Sequence, residues 1–352
     1  MQPELIIDAH LDLAWNAIQW NRDITQSVYT IRTRETNIEG KGRAVNTVAL
    51  PEMQAGNISL CIATLMGRNT GNPVPHLDFA SRMQTYGVAQ GHLAYYRALE
   101  HAGYARIITD LEQLNNHLTA LDTNDQTAGF IISMESADAI LDPEQVSEWY
   151  DAGVRLIGPA HYGMGRYAGG TGVEDGFTDI GFALLKQMEQ HNIILDVTHL
   201  SDKAFWQALD NFNGHIIASH NNCRALVPHQ RQFSDDQLKA IIERDGVIGV
   251  AFDAWMLQEG WIKEVTSNKS VTLATVADHI DHICQLAGNT DHVGFGSDLD
   301  GGFGREQSPS DLNTIADLQN FKPLLSDRGY SDADITAIFS GNWIRKFNEA
   351  WA

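Results

Sequence analysis

Residues 193–222, IILDVTHLSDKAFWQALDNFNGHIIASHNN, hold two apolar runs separated by one helical stretch. IILDVTH (193–199) and IIASHNN (216–222) read as strands, and SDKAFWQAL (201–209) between them has helical spacing. A strand, a helix and a second strand in so short a span predict parallel neighbours joined by a crossover. Both runs close on a histidine, His199 and His220. Working outward, six more runs of the same kind appear: LIIDAHLD (5–12), ISLCIATLMG (58–67), GFIISMES (129–136), VRLIGPAH (154–161), VIGVAFDA (247–254) and VGFGSD (293–298). Between them lie TDLEQLNNHLTAL with a Thr109/Glu112 capping box, LLKQMEQHN, SDDQLKAIIERDG with a Ser234/Gln237 box ending at Gly246, and VADHIDHICQLAG. Eight nearly continuous apolar strands alternating with helices predict an α/β fold, a closed (β/α)₈ TIM barrel in a single domain over residues 1–352. A doubly wound open sheet is the alternative, and no G-x-G-x-x-G follows a strand to support it.

The 352 residues are 43% hydrophobic and 20% charged, as in globular chains. Their 24 Lys and Arg against 45 Asp and Glu leave a net charge of −21, which excludes a surface built to neutralise phosphate or anionic lipid. Neither nucleic acid nor membrane is an expected partner. Cys61, Cys223 and Cys284 are too few and too scattered for a disulfide framework and read as reduced thiols. MQPELIIDAH has no basic or apolar leader pattern, and no run of eighteen apolar residues occurs, so a cytoplasmic location is expected. The links 13–57, with Arg32, Arg34, Arg43 and EGKGR, and 68–84, with GNPVPH, exceed what a barrel needs. Length added after a strand lies on the active face of this fold, so both are candidate rims or lids.

The polar residues at the strand ends carry the chemistry. Strand one ends His10-Leu-Asp12, strand three at Glu135, and strands four to six at His161, His199 and His220, while strand eight ends at Asp298. Residues i and i+2 of a strand face one side, so His10 and Asp12 can address one ion. His199 and His220 are available for a second, and Glu135 has two oxygens with which to bridge. Imidazole and carboxylate without thiolate suit Zn²⁺ or a similar divalent ion. Two such ions about 3.5–4 Å apart clamp a hydroxide and polarise a carbonyl, so hydrolysis is the expected reaction class. Asp298, in GFGSDLDG, can take the proton of the attacking water and hand it to a leaving amine. Asp300 reads as its structural neighbour. His161, in GPAHYGMG, can donate to a tetrahedral oxyanion, and Arg231, in PHQRQFSDD, can fork onto a substrate carboxylate.

Taken together, DAHLD, Glu135, AGVRLIGPAH, LDVTHLSD, ASHNNCRALVPHQRQFSDDQL, VADHIDHICQLAG and DHVGFGSDLDG resemble the renal or membrane dipeptidase family, metal-dependent hydrolases of the amidohydrolase superfamily. The resemblance runs through nearly the whole chain. It implies a dipeptidase with two zinc ions per subunit, His10 and Asp12 on one, His199 and His220 on the other, and Glu135 bridging. It makes His161 and Arg231 substrate-binding residues and Asp298 the acid/base. A dipeptide is then the expected small-molecule partner, L,L or L,D, and a homodimer the assembly such a barrel suggests. The same metal site acting on an N-acyl amino acid, a cyclic amide, a lactone or a secondary metabolite is the alternative, followed by a barrel that binds ligands without catalysis. Three departures stand out. Ser136 follows Glu135 where the family usually has Gly, the region after Gly301 diverges, and the loops GRNTGNPVPH and GMGRYAGGTG are not matched to the pattern.

Other signals are set aside. GMGRYAGGTG lacks the Gly-Lys-Ser/Thr of a phosphate cradle and reads as a mobile loop. His279 and His282 share a helical face and read as solvated Asp–His pairs. Trp255, just past strand seven, is the tryptophan expected to meet substrate.

Overall fold

The structure, a computed structural model, describes residues 3–352 apart from Pro73, Asp122 and Asn124. Met1 and Gln2 of the leader reading, and Pro73 of the loop over 68–84, lie outside the described residues. Among the described residues nine strands form: β1 (Ile6–Leu11), β2 (Ile58–Met66), β3 (Ala105–Ile107), β4 (Ala128–Glu135), β5 (Val154–Gly158), β6 (Ile194–Asp196), β7 (Ile216–Ile217), β8 (Ile248–Val250) and β9 (Val293–Phe295). All pair in parallel in the order β7-β6-β5-β4-β2-β1-β9-β8, with β3 beside β4 off this path. A bridge between Ala218 and Ile248 joins the two ends, so the eight expected strands enclose a (β/α)₈ barrel. β3 is an addition that the apolar-run pattern did not reveal.

Every residue of β1 and β4 is buried, as strands covered on both faces must be. Ile7, Leu60, Ile62, Ile131, Leu156, Ile194, Ile217 and Val247 meet inside the barrel and are joined there by Trp343 and Phe347 of the last helix (Asn342–Trp351), which plugs the amino-terminal end. A larger cluster, including Phe130, Ile132, Leu184, Leu238 and Ile280, lies between strands and helices. At the closing seam the Ser219 carbonyl oxygen stands 2.0 Å from where a Cβ on Gly249 would lie and 1.7 Å from one on Gly296. Only glycine admits that approach, which carries the chain after β7 into the middle of the barrel mouth.

Local details differ from the sequence reading in four places. Asp110 and Gln113, one position on from Thr109 and Glu112, cap Leu111–Leu121: Asp110 Oδ1 accepts from Gln113 N at 2.8 Å. The Ser234/Gln237 box is present, but the helix closes at Glu243, ahead of Gly246, and Asp245 (φ 53°) is left-handed between them. His279 is not solvated: it is buried, and its Nδ1 accepts from Cys223 N at 3.1 Å, while His282 pairs with Asp235 at 2.7 Å. GMGRYAGGTG (163–172), expected to be a mobile loop, is folded on itself and onto its flanks through bridges Tyr162–Thr171, Met164–Gly169 and Ala168–Phe177. A Cβ on Gly170 would lie 1.9 Å from the His161 carbonyl oxygen, so glycine is what allows this loop to close. Cys61, Cys223 and Cys284 are free thiols. Among the described residues no helix is long and apolar enough to cross a membrane.

Candidate metal and catalytic centre

The carboxyl ends of the strands aim one set of side chains at a common point. On β1 the aim depends on a bulge. Asp8 and Leu11, three residues apart, pair with Cys61 and Ala63, which are two apart, so β1 carries one residue more than β2. The slip lets Ile7 and Ala9 face the barrel interior below it and His10 and Asp12 face inward above it. Asp8 steadies the bulge by accepting from His10 N at 3.1 Å and from Ser297 N at 2.9 Å.

Glu135 sits at the centre. Its Oε2 is 3.5 Å from His10 Nε2, and its Oε1 is 3.2 Å from His199 Nε2 and 3.4 Å from His220 Nε2. His161 Nε2 is 3.9 Å from Oε1. His10 Nε2 also lies 3.9 Å from one oxygen each of Asp12 and Asp298. All the ligand candidates are therefore brought together, in three overlapping groups with metal-ligand spacing: His10–Glu135–His220, Glu135–His161–His199 and His10–Asp12–Asp298. His220 stands between the halves, its ring centroid 3.7 Å from that of His10.

Outer hydrogen bonds decide which ring nitrogens face inward with a lone pair. Ser219 Oγ donates to Asp196 and lies 3.0 Å from His220 Nδ1, so it accepts the Nδ1–H and leaves Nε2 bare. The same oxygen is 3.5 Å from His10 Nδ1. Thr171 Oγ1 donates to the His199 carbonyl and lies 2.9 Å from His199 Nδ1, with the same result. Asp12 accepts from the Thr64 hydroxyl.

The electrostatics describe a site that wants positive charge. Burial opposes protonation of His10, yet Glu135, Asp12 and Asp298 outweigh it and carry its pKa up to about 10. Among the described residues His10 Nε2 is nonetheless buried with no hydrogen-bond partner, an orphan aimed at three carboxylates. Burial holds His199 down to about 3 and His220 well below the ordinary range, which keeps both as neutral nitrogen donors. For Glu135 the surrounding imidazoles, His10 first, overcome burial and keep the carboxylate ionised. Burial, reinforced by Asp12, Glu135 and Asp253, pushes Asp298 well above the usual carboxylate range. A buried oxygen-and-nitrogen donor set with an orphaned ligand atom fits divalent cations.

A cavity of about 380 Å³ opens over this centre. Arg231 reaches it from the loop after β7, anchored by Nη1 to Asn221 Oδ1 at 2.7 Å and by Nη2 to the His220 carbonyl at 2.8 Å. These partners are neutral, so the guanidinium charge is left for something else. Trp255 and Trp15 wall the cavity, as do Lys41 of the long link 13–57 and Tyr162. Asp300 takes the structural part: it accepts from Thr47 N at 2.7 Å and from Val48 N at 2.9 Å, binding that link to the exit of β9. Arg68, Tyr162 and Asp253 line the cavity without having been singled out from the sequence. Arg68, immediately after the β2 run, was open to the strand-end rule that found the others.

Comparison with known proteins gives a consistent picture. The family described as membrane dipeptidase (peptidase family M19) matches residues 1–351. An uncharacterized protein from the pqqA 5′ region of Klebsiella pneumoniae is 32% identical over 58% of this chain and 74% of its own length. The dipeptidase tcpJ of Claviceps purpurea is 29% identical over 56% of this chain and 45% of its own. Of the relatives after the first, the chain aligns with half the length or less. Among solved structures, a metallo peptidase from Rhodobacter sphaeroides liganded with a phosphinate mimic of L-Ala-D-Ala superposes with a TM-score of 0.79 at 23% identity, covering 99% of this chain and all of that one. That likeness is one of fold.

Proposed function

The chain belongs to the membrane dipeptidase family, peptidase family M19, whose members are metal-dependent hydrolases, and on that premise we propose that it hydrolyses the peptide bond of free dipeptides at a two-ion centre. The observation that carries the reading is Glu135, one carboxylate oxygen turned to His10 and the other to His199 and His220. His10 and Asp12 would hold one ion, His199 and His220 the other, and Glu135 both, with zinc as the metal. Bound there, such ions supply a Lewis acid for the scissile carbonyl and make water acidic enough to attack at neutral pH.

The remaining steps belong to side chains. Arg231 forks onto the C-terminal carboxylate and sets the register of the substrate. Asp298, its pKa raised by burial, accepts the proton of the attacking water and delivers it to the departing amine. His161 donates from Nε2 to the oxygen that becomes negative in the tetrahedral state. The R. sphaeroides structure, with its mimic of an L,D dipeptide, supports testing both configurations at the C-terminal residue. A homodimer in a cytoplasmic setting, with one catalytic unit over 1–352, completes the proposal.

Amine release from L,L and L,D dipeptides, with N-acetylated and amidated versions of each, tests it. Hydrolysis confined to substrates with a free C-terminal carboxylate is the expected result. Silence across the panel with metal bound overturns the dipeptide assignment and moves the substrate to another small amide or lactone.

A further inference from the structure

Arg68 makes a contact that the hydrolytic scheme does not use. Its Nη1 lies 2.8 Å from His161 Nδ1, and its Nε donates to Asp78 Oδ2 at 3.1 Å. Asp78 is in turn held by Thr70, whose N donates to Oδ1 at 3.1 Å and whose hydroxyl donates to Oδ2. Arg68 and Asp78 are both buried, so the pair is fixed among side chains and not spread into solvent. A guanidinium has donors only and no lone pair to offer. The 2.8 Å contact is therefore a hydrogen bond only when His161 Nδ1 is bare, and a neutral ring with a bare Nδ1 carries its hydrogen on Nε2. His199 and His220 are arranged the other way, with Nδ1–H spent on a hydroxyl and Nε2 bare.

We propose that Arg68, braced by Asp78, is a positioning residue that fixes His161 as the Nε2–H tautomer, making it a hydrogen-bond donor to the substrate and barring it from the metal. The second effect matters because His161 Nε2 stands with Glu135 and His199 at ligand spacing. With a lone pair on Nε2 it would be a competing ligand; with a hydrogen there it cannot be one. Arg68 on His161, with Thr171 on His199 and Ser219 on His220, thus sorts three chemically identical rings into one donor and two ligands. The donor role rests on the hydrolytic reading above, whereas the tautomer does not.

The test is the nitrogen spectrum of ¹⁵N-histidine-labelled, zinc-loaded protein, with His161 assigned by its loss in His161→Gln. In the wild type His161 is expected to show a bare Nδ1 and a protonated Nε2. In Arg68→Met, and more weakly in Asp78→Asn, that pattern should average or invert, while Arg68→Lys should retain more of it than Arg68→Met. A protonated Nδ1 in the wild type overturns the proposal without any variant, and so does an unchanged pattern in Arg68→Met. On any dipeptide the wild type hydrolyses, Arg68→Met should lower kcat by about 10²-fold with KM changed much less, the loss expected of one oxyanion donor. A rise in KM alone overturns the positioning role. If the wild type hydrolyses no dipeptide, the spectrum still decides the role of Arg68, and it is the substrate assignment that falls.

Discussion

His199 Nε2 and His220 Nε2 face one another at 3.1 Å, each with its Nδ1–H engaged elsewhere, so two lone pairs meet beside Glu135 Oε1. Two nitrogen lone pairs at that separation repel unless a cation lies between or beside them. Removing divalent metal by chelation should lower the melting temperature, and adding zinc back should restore it, with two equivalents bound per chain by elemental analysis. Glu135→Gln should lose both equivalents and His220→Ala one. Full thermal stability after complete chelation would remove the basis for a resident metal.

Asp298 is half-buried beside His10, 3.9 Å from its Nε2, and the proposed mechanism gives it the proton path. Asp298→Asn should keep its metal and lose about 10²–10⁴-fold in kcat. Metal content and single-turnover rates on one sample separate this outcome from simple loss of the ion.

Among the described residues the anchors of the Arg231 guanidinium are neutral, Asn221 Oδ1 and the His220 carbonyl. Arg231→Lys keeps the charge and loses the fork, so kcat/KM on free dipeptides should drop by at least about 10-fold. Equal losses on free and amidated substrates would show that Arg231 is not the carboxylate receptor.

His92 and His279 are buried, and each Nδ1 accepts a main-chain N–H, from Met66 and from Cys223, at 3.1 Å. Burial draws both pKa values from 6.5 down to about 3. The unfolded chain takes up protons below pH 6.5 that the folded chain refuses until about pH 3. Their contribution is thus fully present above pH 6.5 and is lost as pH falls through that window, by up to about 1.4 kcal/mol per pH unit for each histidine. Urea unfolding between pH 7 and pH 4 should show this decline, shallower in His92→Gln; identical slopes would refute the assignment.

Ser136 has φ 69°, a conformation that L side chains rarely adopt, directly after Glu135. Glycine there would relieve it, and Ser136→Gly should gain about 1 kcal/mol in unfolding free energy. Ser136 Oγ accepts from Asp138 N at only 3.4 Å, a weak bond to forgo. A destabilised variant would mean that this bond outweighs the strain.

The eight barrel strands were legible because a strand covered on both faces must be apolar at nearly every position, and ISLCIATLMG and GFIISMES are. β3 escaped because it is three residues long and contains Arg106. The candidate site residues were legible because barrel strands end at the active face, so His161, His199 and His220 announce themselves by position. What was not legible depends on contacts far apart in sequence. Nothing local in DAHLD reveals the bulge that turns His10 inward, and nothing in MGRNTG reveals that Arg68 meets His161 across the barrel mouth. The folding of GMGRYAGGTG was hidden for the same reason, since its glycines answer to Asp175 and His161 carbonyls and not to flexibility.

Asp300 grips Thr47 and Val48 two residues after Asp298. The segment that walls the cavity with Trp15 and Lys41 and Asp298, the proposed proton carrier, are consequently parts of one mechanical unit. Exchanging that wall to alter which side chains are accepted would therefore disturb turnover as well as affinity. Selectivity and speed in this enzyme are inherited together, and a graft that moves one without the other must carry Asp300 and its two backbone partners along.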